Sequence, residues 1–170
     1  VDFRYEVPTN NLKPEKSTTY ELGLKIATKT VGLQMGYYST RLQNLITRVR
    51  VPNEQVNGIN VYRKENVEKA YINGLDAKLQ ANLLSSLQLY GNVSYCFGQN
   101  ETKDEPMRRI PPVNGRFGLN FSKNKGWIRP EFWFAGAQER LAQGDKDDNR
   151  IAKGGTPAWN VFNLNAGYTL

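Results

Sequence analysis

Between residues 71 and 97 the sequence alternates with a period of two on both sides of one short turn. In the first run Tyr71, Asn73, Leu75, Ala77, Leu79 and Ala81 share one side, and Ile72, Gly74, Asp76, Lys78 and Gln80 the other. After Leu84-Ser85-Ser86, the residues Leu87, Leu89, Val93, Tyr95 and Phe97 oppose Gln88, Tyr90, Asn92, Ser94 and Cys96. Successive side chains of a strand point to opposite faces, so the pattern predicts a hairpin with one mostly apolar and one mostly polar face. Each run is about ten residues long, the length a tilted strand needs to cross the hydrocarbon of a membrane.

The same alternation recurs along the chain. It predicts an all-β, antiparallel up-and-down meander of about seven strands, near 17–27, 31–42, 70–82, 87–99, 114–123, 127–138 and 159–170. Thr28-Lys29-Thr30, Ser85-Ser86 and Lys123-Asn124-Lys125-Gly126 read as short turns, whereas about 43–65, 100–112 and 138–157 read as long connections. Short and long connections alternate. In a meander this puts all short turns at one end and all long loops at the other, as in outer-membrane barrels and unlike soluble sandwiches. Aromatics near strand ends, Tyr20, Tyr37, Tyr71, Tyr95, Phe97, Phe121, Trp127 and Tyr168, fit interfacial girdles. Bacterial single-chain barrels close with even strand numbers from about 8 upward, so seven strands leave two open edges. The expectation is a piece of a larger barrel whose neighbours lie before Val1 and after Leu170.

Composition agrees with a strand-built membrane wall. Hydrophobic residues make up 39% of the 170, and no run approaches the ~18 apolar residues of a spanning helix. Val1-Asp2-Phe3-Arg4 lacks the basic start and apolar core of a signal peptide. The net charge of +7 is spread along the chain and interrupted by acids, so no nucleic-acid-binding arm is indicated. With no histidine and one cysteine, Cys96, there is neither an internal disulfide nor a His-bearing metal site, and no cofactor is expected. No nucleophile elbow, phosphate loop or paired metal ligands appear, so an enzyme reading has no support.

Several motifs, in this order and across nearly the whole chain, resemble the C-terminal barrel half of TonB-dependent outer-membrane receptors. They are Asn11-Leu12-Lys13-Pro14-Glu15-Lys16-Ser17 followed by Tyr20-Glu21-Leu22-Gly23-Leu24-Lys25; Tyr37-Tyr38 running to Asn44-Leu45-Ile46; and Ala70-Tyr71-Ile72-Asn73-Gly74-Leu75-Asp76. Pro106-Met107-Arg108-Arg109-Ile110-Pro111-Pro112 with Gly115-Arg116-Phe117-Gly118-Leu119 follows, then the segment from Gly144-Asp145 to Ala158-Trp159. The resemblance implies a 22-stranded barrel around an N-terminal plug, energised from the inner membrane through TonB, in the outer membrane of a Gram-negative bacterium. It also implies that the plug, the TonB-contacting segment and two strands after Leu170 lie outside this sequence.

The residues offer several candidate contacts. Tyr38, Arg41, Trp133, Gln138, Arg140 and Trp159 lie on or near the lumen side toward the long loops, where a ligand arrives, or else pack those loops. Arg108 and Arg109, ahead of Ile110-Pro111-Pro112, match an anionic ligand, loop carboxylates or lipopolysaccharide phosphates. Glu21, Lys25, Asp76, Lys78, Arg129 and Glu131 fall on the lumen face, since an Arg or Lys facing lipid at mid-depth costs about 2–4 kcal/mol; they face a plug or balance one another. Asp145, Asp147 and Asn149 have the one-three-five spacing of a calcium loop, but Arg150 replaces the required glycine and no glutamate follows six residues later. A solvated tip, or pairing to Arg150 or Arg140, accounts for them as well.

Three functions follow as expectations. The first is a barrel segment of a receptor importing a scarce ligand, a ferric siderophore or other chelate, a cobalamin or a glycan, with membrane lipid, lipopolysaccharide, plug and TonB complex as partners. The second is a passive or structural outer-membrane barrel, and the third a soluble basic β-domain that binds anionic polymers. In the first reading Leu22, Leu33, Leu75, Val93, Leu119, Phe132 and Leu164 face lipid.

Overall fold

The computed structural model describes residues 5–146 and 148–169. Its elements are β1 (Tyr5–Val7), β2 (Lys16–Ala27), β3 (Val31–Val56), β4 (Ile59–Leu84), β5 (Leu87–Asn100), β6 (Glu105–Pro106), β7 (Asn114–Lys123), β8 (Gly126–Ala135), the four-residue helix α1 (Gln143–Lys146) and β9 (Trp159–Tyr168). All belong to one sheet except α1, and the main path runs β2-β3-β4-β5-β7-β8-β9, every neighbour antiparallel. β6 pairs with β5, and β1 adds to β4 in parallel. No helix among the described residues is long and apolar enough to cross a membrane, which says nothing about crossing by strands.

The register aligns the two faces across all seven strands. Leu22 pairs with Tyr37, Tyr37 with Leu75 and Leu75 with Tyr95; farther along, Leu89 pairs with Leu119, Phe117 with Phe132 and Phe132 with Phe162. Because one step of slip would flip every side chain, this register gives a single continuous apolar face. That face is bare: Leu22 is 75% exposed, Tyr20 71% and Leu164 60%. Leu33, Leu75, Val93, Leu119 and Phe132 share it. The interior is correspondingly small, with Val51, Val61, Ala70 and Ala142 as the buried apolar residues among those described. A water-soluble domain of this size buries most of its large apolar side chains, each worth about 1.5–3 kcal/mol. This sheet leaves them outward, as lipid contact requires.

The turns explain how the ends are sorted. Thr28 Oγ1 accepts from Val31 N at 2.9 Å and from Thr30 N at 3.3 Å, closing the β2–β3 turn. Ser85-Ser86 joins β4 to β5, and Asn124, with φ 55°, begins the β7–β8 turn. The loops 101–113 and 136–158 lie at the other end.

Two details differ from the sequence expectations. Residues 43–65 are not a loop: β3 and β4 keep pairing beyond Leu42 and meet at Asn57-Gly58, whose φ values of 52° and 77° suit a two-residue hairpin turn. Asn44 and Asn53 take positive φ at the register shifts, so β-bulges interrupt the alternation there. At 26 residues each, these strands are far longer than the about ten residues that a membrane crossing takes. Trp127 is not a lipid-face girdle residue. It pairs with Ser122 and Gly167 on the polar face, where a Cβ on Gly167 would fall 2.5 Å from its ring.

Candidate functional site

The polar face carries rows of charge and aromatic rings. Glu21 pairs with Tyr38, Tyr38 with Gly74 and Gly74 with Cys96; Lys25 pairs with Gln34, and Gln34 with Lys78. Three rings lie over glycines of neighbouring strands, Tyr38 on Gly74, Tyr90 on Gly118 and Trp127 on Gly167, which covers backbone that lacks a side chain. Tyr38 is thereby held in the wall, its hydroxyl 3.5 Å from Cys96 Sγ. Tyr90 donates to Glu131 Oε1 at 2.7 Å and Trp133 Nε1 to Glu131 Oε2 at 3.2 Å. Arg129 Nε donates to Asn120 at 2.9 Å, with its guanidinium 4.7 Å from the Trp127 ring. Arg129 and Glu131 are therefore held by neutral partners within the sheet. Glu21, Lys25, Asp76 and Lys78 form no ion pair among the described residues.

Toward the long loops, a cavity of about 680 Å³ opens on this face. Its walls include Asn92, Arg116, Trp133, Gln138, Pro157 and Trp159. β8 supplies Trp133 and β9 supplies Trp159, both in inward phase beside Ala135, while Arg116 Nε donates to Asn92 at 3.3 Å and stacks 5.4 Å from Trp133. Gln138 joins the two long loops. Its N–H donates to Thr156 O at 2.8 Å, its carbonyl accepts from Thr156 N at 3.1 Å, and its amide donates to Ile110 O. The Gln138–Thr156 pairing, which closes the loop 136–158, requires Gly155, at φ 104°, where a Cβ would sit 1.9 Å from Gln138 O. Chemically, the cavity offers two indole faces, a guanidinium and amides, suited to a large ligand with flat and polar parts.

The other sequence candidates separate. Arg108 is tied to the buried Asp145 carboxylate at 2.7 Å, the loop-carboxylate alternative, whereas Arg109 is exposed at φ 62°. Arg41 departs from the lumen assignment. It pairs with Tyr71 on the apolar side and stacks 5.1 Å from that ring. Arg140 reaches the same side, 3.8 Å from the Phe97 ring centroid, and donates to Gln99 at 2.8 Å. Of the calcium candidates, Asp145 is taken by Arg108, Asn149 is exposed, and Asp147 lies outside the described residues. No group of three acidic, histidine or cysteine side chains suited to a metal occurs among the described residues. Arg150 pairs with Asp148 instead, at 2.6 Å, and holds that carboxyl well below the usual range.

Sequence reading missed a cluster above the barrel wall. Glu68 is buried, receives Asn100 Nδ2 at 2.5 Å and pairs with Lys103 at 2.5 Å. Burial pushes its carboxyl up, but hydrogen bonds from Lys103, Thr47 and Asn100 outweigh this and hold it below its ordinary value. Nothing in local spacing links Glu68 to Thr47, Asn100 and Lys103. Arg116 was recoverable, since it shares a phase with Gly118 and Asn120.

A bare apolar face, a polar face with unpaired charge and long loops gathered at one end define the wall of a membrane β-barrel. The chain belongs to the TonB-dependent receptor-like β-barrel family, whose pattern it matches over residues 2–170. Among solved structures it is similar to the copper transporter OprC, with a TM-score of 0.74 and 21% identity over 95% of this chain and 24% of that one. It is also similar to the ferric enterobactin receptor PfeA from Pseudomonas aeruginosa, with a TM-score of 0.76 and 19% identity over 99% and 27%. The FrpB iron transporter from Neisseria meningitidis gives 0.71 and 13% over 98% and 26%. At such identities the likeness is one of fold. The chain spans about a quarter of the length of these structures. No curated protein sequence matches it.

Proposed function

We propose that this chain forms part of the wall of an outer-membrane receptor that imports a scarce ligand, a ferric chelate or similar bulky nutrient, using energy delivered through TonB. The observation that carries the reading is the loop-end cavity on the polar face, where Trp133, Trp159, Gln138 and Arg116 converge. A ligand entering between the loops meets these groups first. Below them, the unpaired Glu21, Lys25, Asp76 and Lys78 offer complementary charge to a plug within the lumen. Import, rather than catalysis, is what this inventory serves. The names of the similar structures, a copper transporter, a ferric enterobactin receptor and an iron transporter, support a metal or metal chelate as cargo.

The test is uptake by cells that express the native gene product as their sole high-affinity receptor, with and without a working TonB. Labelled ferric chelates, copper and cobalamin serve as probes. TonB-dependent accumulation of one probe, reduced at least several-fold by Trp133→Ala with Trp159→Ala, is expected. Accumulation indifferent to TonB would establish a passive barrel instead.

A further inference from the structure

We propose that Arg41 and Arg140, with Lys69, form an outward-facing site for the phosphates of a phosphorylated lipid headgroup in the outer leaflet. This rests on the outer-membrane reading above.

The placement follows from register. Arg41, Tyr71 and Gln99 are cross-strand partners on the apolar side, in phase with Tyr37, Leu75 and Tyr95. Arg41 lies ten steps along β3 from Val31 at the short-turn end. At a rise of ~3.3 Å per residue and a tilt near 40°, this is about 25 Å along the membrane normal, the height of a barrel's apolar band. Composition agrees: the apolar row gives way to Ser39 and Asn73 two residues before Arg41 and Tyr71. The guanidinium therefore stands where hydrocarbon ends and headgroups begin.

Two more cations gather there. Tyr71 and Phe97 stack with ring centroids 6.1 Å apart; Arg41 covers the first ring and Arg140 the second. Lys69 is exposed two residues beyond Tyr71 on the same strand and face, and forms no ion pair among the described residues. Glu101 holds one edge of Arg41 at 3.1 Å, and the Gln99 oxygen holds Arg140. Each guanidinium keeps further donors free, and its planar fork fits phosphate oxygens. The rings fix the guanidiniums at low entropic cost and suit the interface themselves. Neither arginine faces the lumen cavity, so import has no direct use for them. Outer-leaflet phosphate supplies the complementary charge.

The test uses the intact native gene product extracted from membranes in mild detergent, comparing wild type with Arg41→Gln/Arg140→Gln by native mass spectrometry. The probes are a bis-phosphorylated glycolipid (lipid A), its dephosphorylated form and excess inorganic phosphate. Wild type should retain the phosphorylated lipid, and the double variant should hold it roughly tenfold or more weakly, because each cation near an anionic headgroup contributes appreciably. Dephosphorylated lipid should bind both proteins equally weakly, and inorganic phosphate should not displace the lipid. Heat-modifiable mobility on gels checks that the variant is folded; should it fail, Lys69→Gln with Arg140→Gln replaces it. Equal retention by folded variant and wild type overturns the proposal, as does displacement by inorganic phosphate. Absence of the product from the outer membrane would overturn the import reading, and this site with it.

Discussion

Tyr38 lies so close to Gly74 on the neighbouring strand that a Cβ built on the glycine would fall 2.0 Å from Cζ of the ring. On the polar face of β3–β4 the Tyr38 ring thus occupies the space that a side chain at position 74 would need.

Gly74→Ala should expel the ring, break the hydroxyl contact to Cys96 and cost about 1–3 kcal/mol, the usual penalty for overpacking. In a Tyr38→Ala background the same substitution should cost much less. Urea unfolding of the detergent-solubilised barrel measures both. Equal costs in the two backgrounds would show that the ring and the glycine are energetically independent.

Acid should weaken the extension above the wall through Glu68. Its folded pKa lies below the ordinary 4.5, so the ionised form is stabilised by folding. That contribution is fully present above the unfolded value and is lost as pH falls from about 4.5 through the lower folded value. Glu68→Gln should remove this part of the pH dependence, and Glu68→Ala should cost about 1–3 kcal/mol by stranding Asn100 and Lys103. Hydrogen exchange of β4 and β5 amides between pH 3 and 6 reads both effects. An unchanged acid limb in Glu68→Gln would assign it to other carboxylates.

Gly155→Ala should break the Gln138–Thr156 bridge that closes the loop 136–158. The added methyl has no space beside Gln138 O, and φ of 104° is strained for alanine. Limited proteolysis within 138–156 should accelerate several-fold, and uptake should fall while the barrel itself stays intact. Protection equal to wild type would mean that this loop is held by other contacts.

Much of this was legible in the sequence because strand periodicity is local. Leu22, Leu75, Val93 and Leu164 read as one face, and the register joins them into one face. Residues 43–65 were not read as strands, since bulges at Asn44 and Asn53 break the alternation, although Asn57-Gly58 carried the signal of a hairpin turn. Arg41 was placed by its proximity to the loops, whereas its odd position beside Tyr37 and Ser39 already put it on the lipid side. The convergence of Trp133, Gln138 and Trp159 was anticipated only as a shared end of the barrel; the cavity itself depends on the Gly155 bridge, which no periodicity reveals. The Arg108–Asp145 and Glu68–Lys103 pairs join positions far apart in sequence, and only the assembled sheet shows them.

The central claim is that the apolar face meets lipid and the polar face a lumen. In the native gene product with Cys96→Ser, a spin label at Leu75→Cys should be relaxed by oxygen dissolved in the bilayer. The same label at Lys78→Cys should respond to a water-soluble nickel chelate instead. If Lys78→Cys proves to be the lipid-exposed position, or if both labels respond only to the aqueous reagent, the face assignment and the barrel-wall account built on it are contradicted.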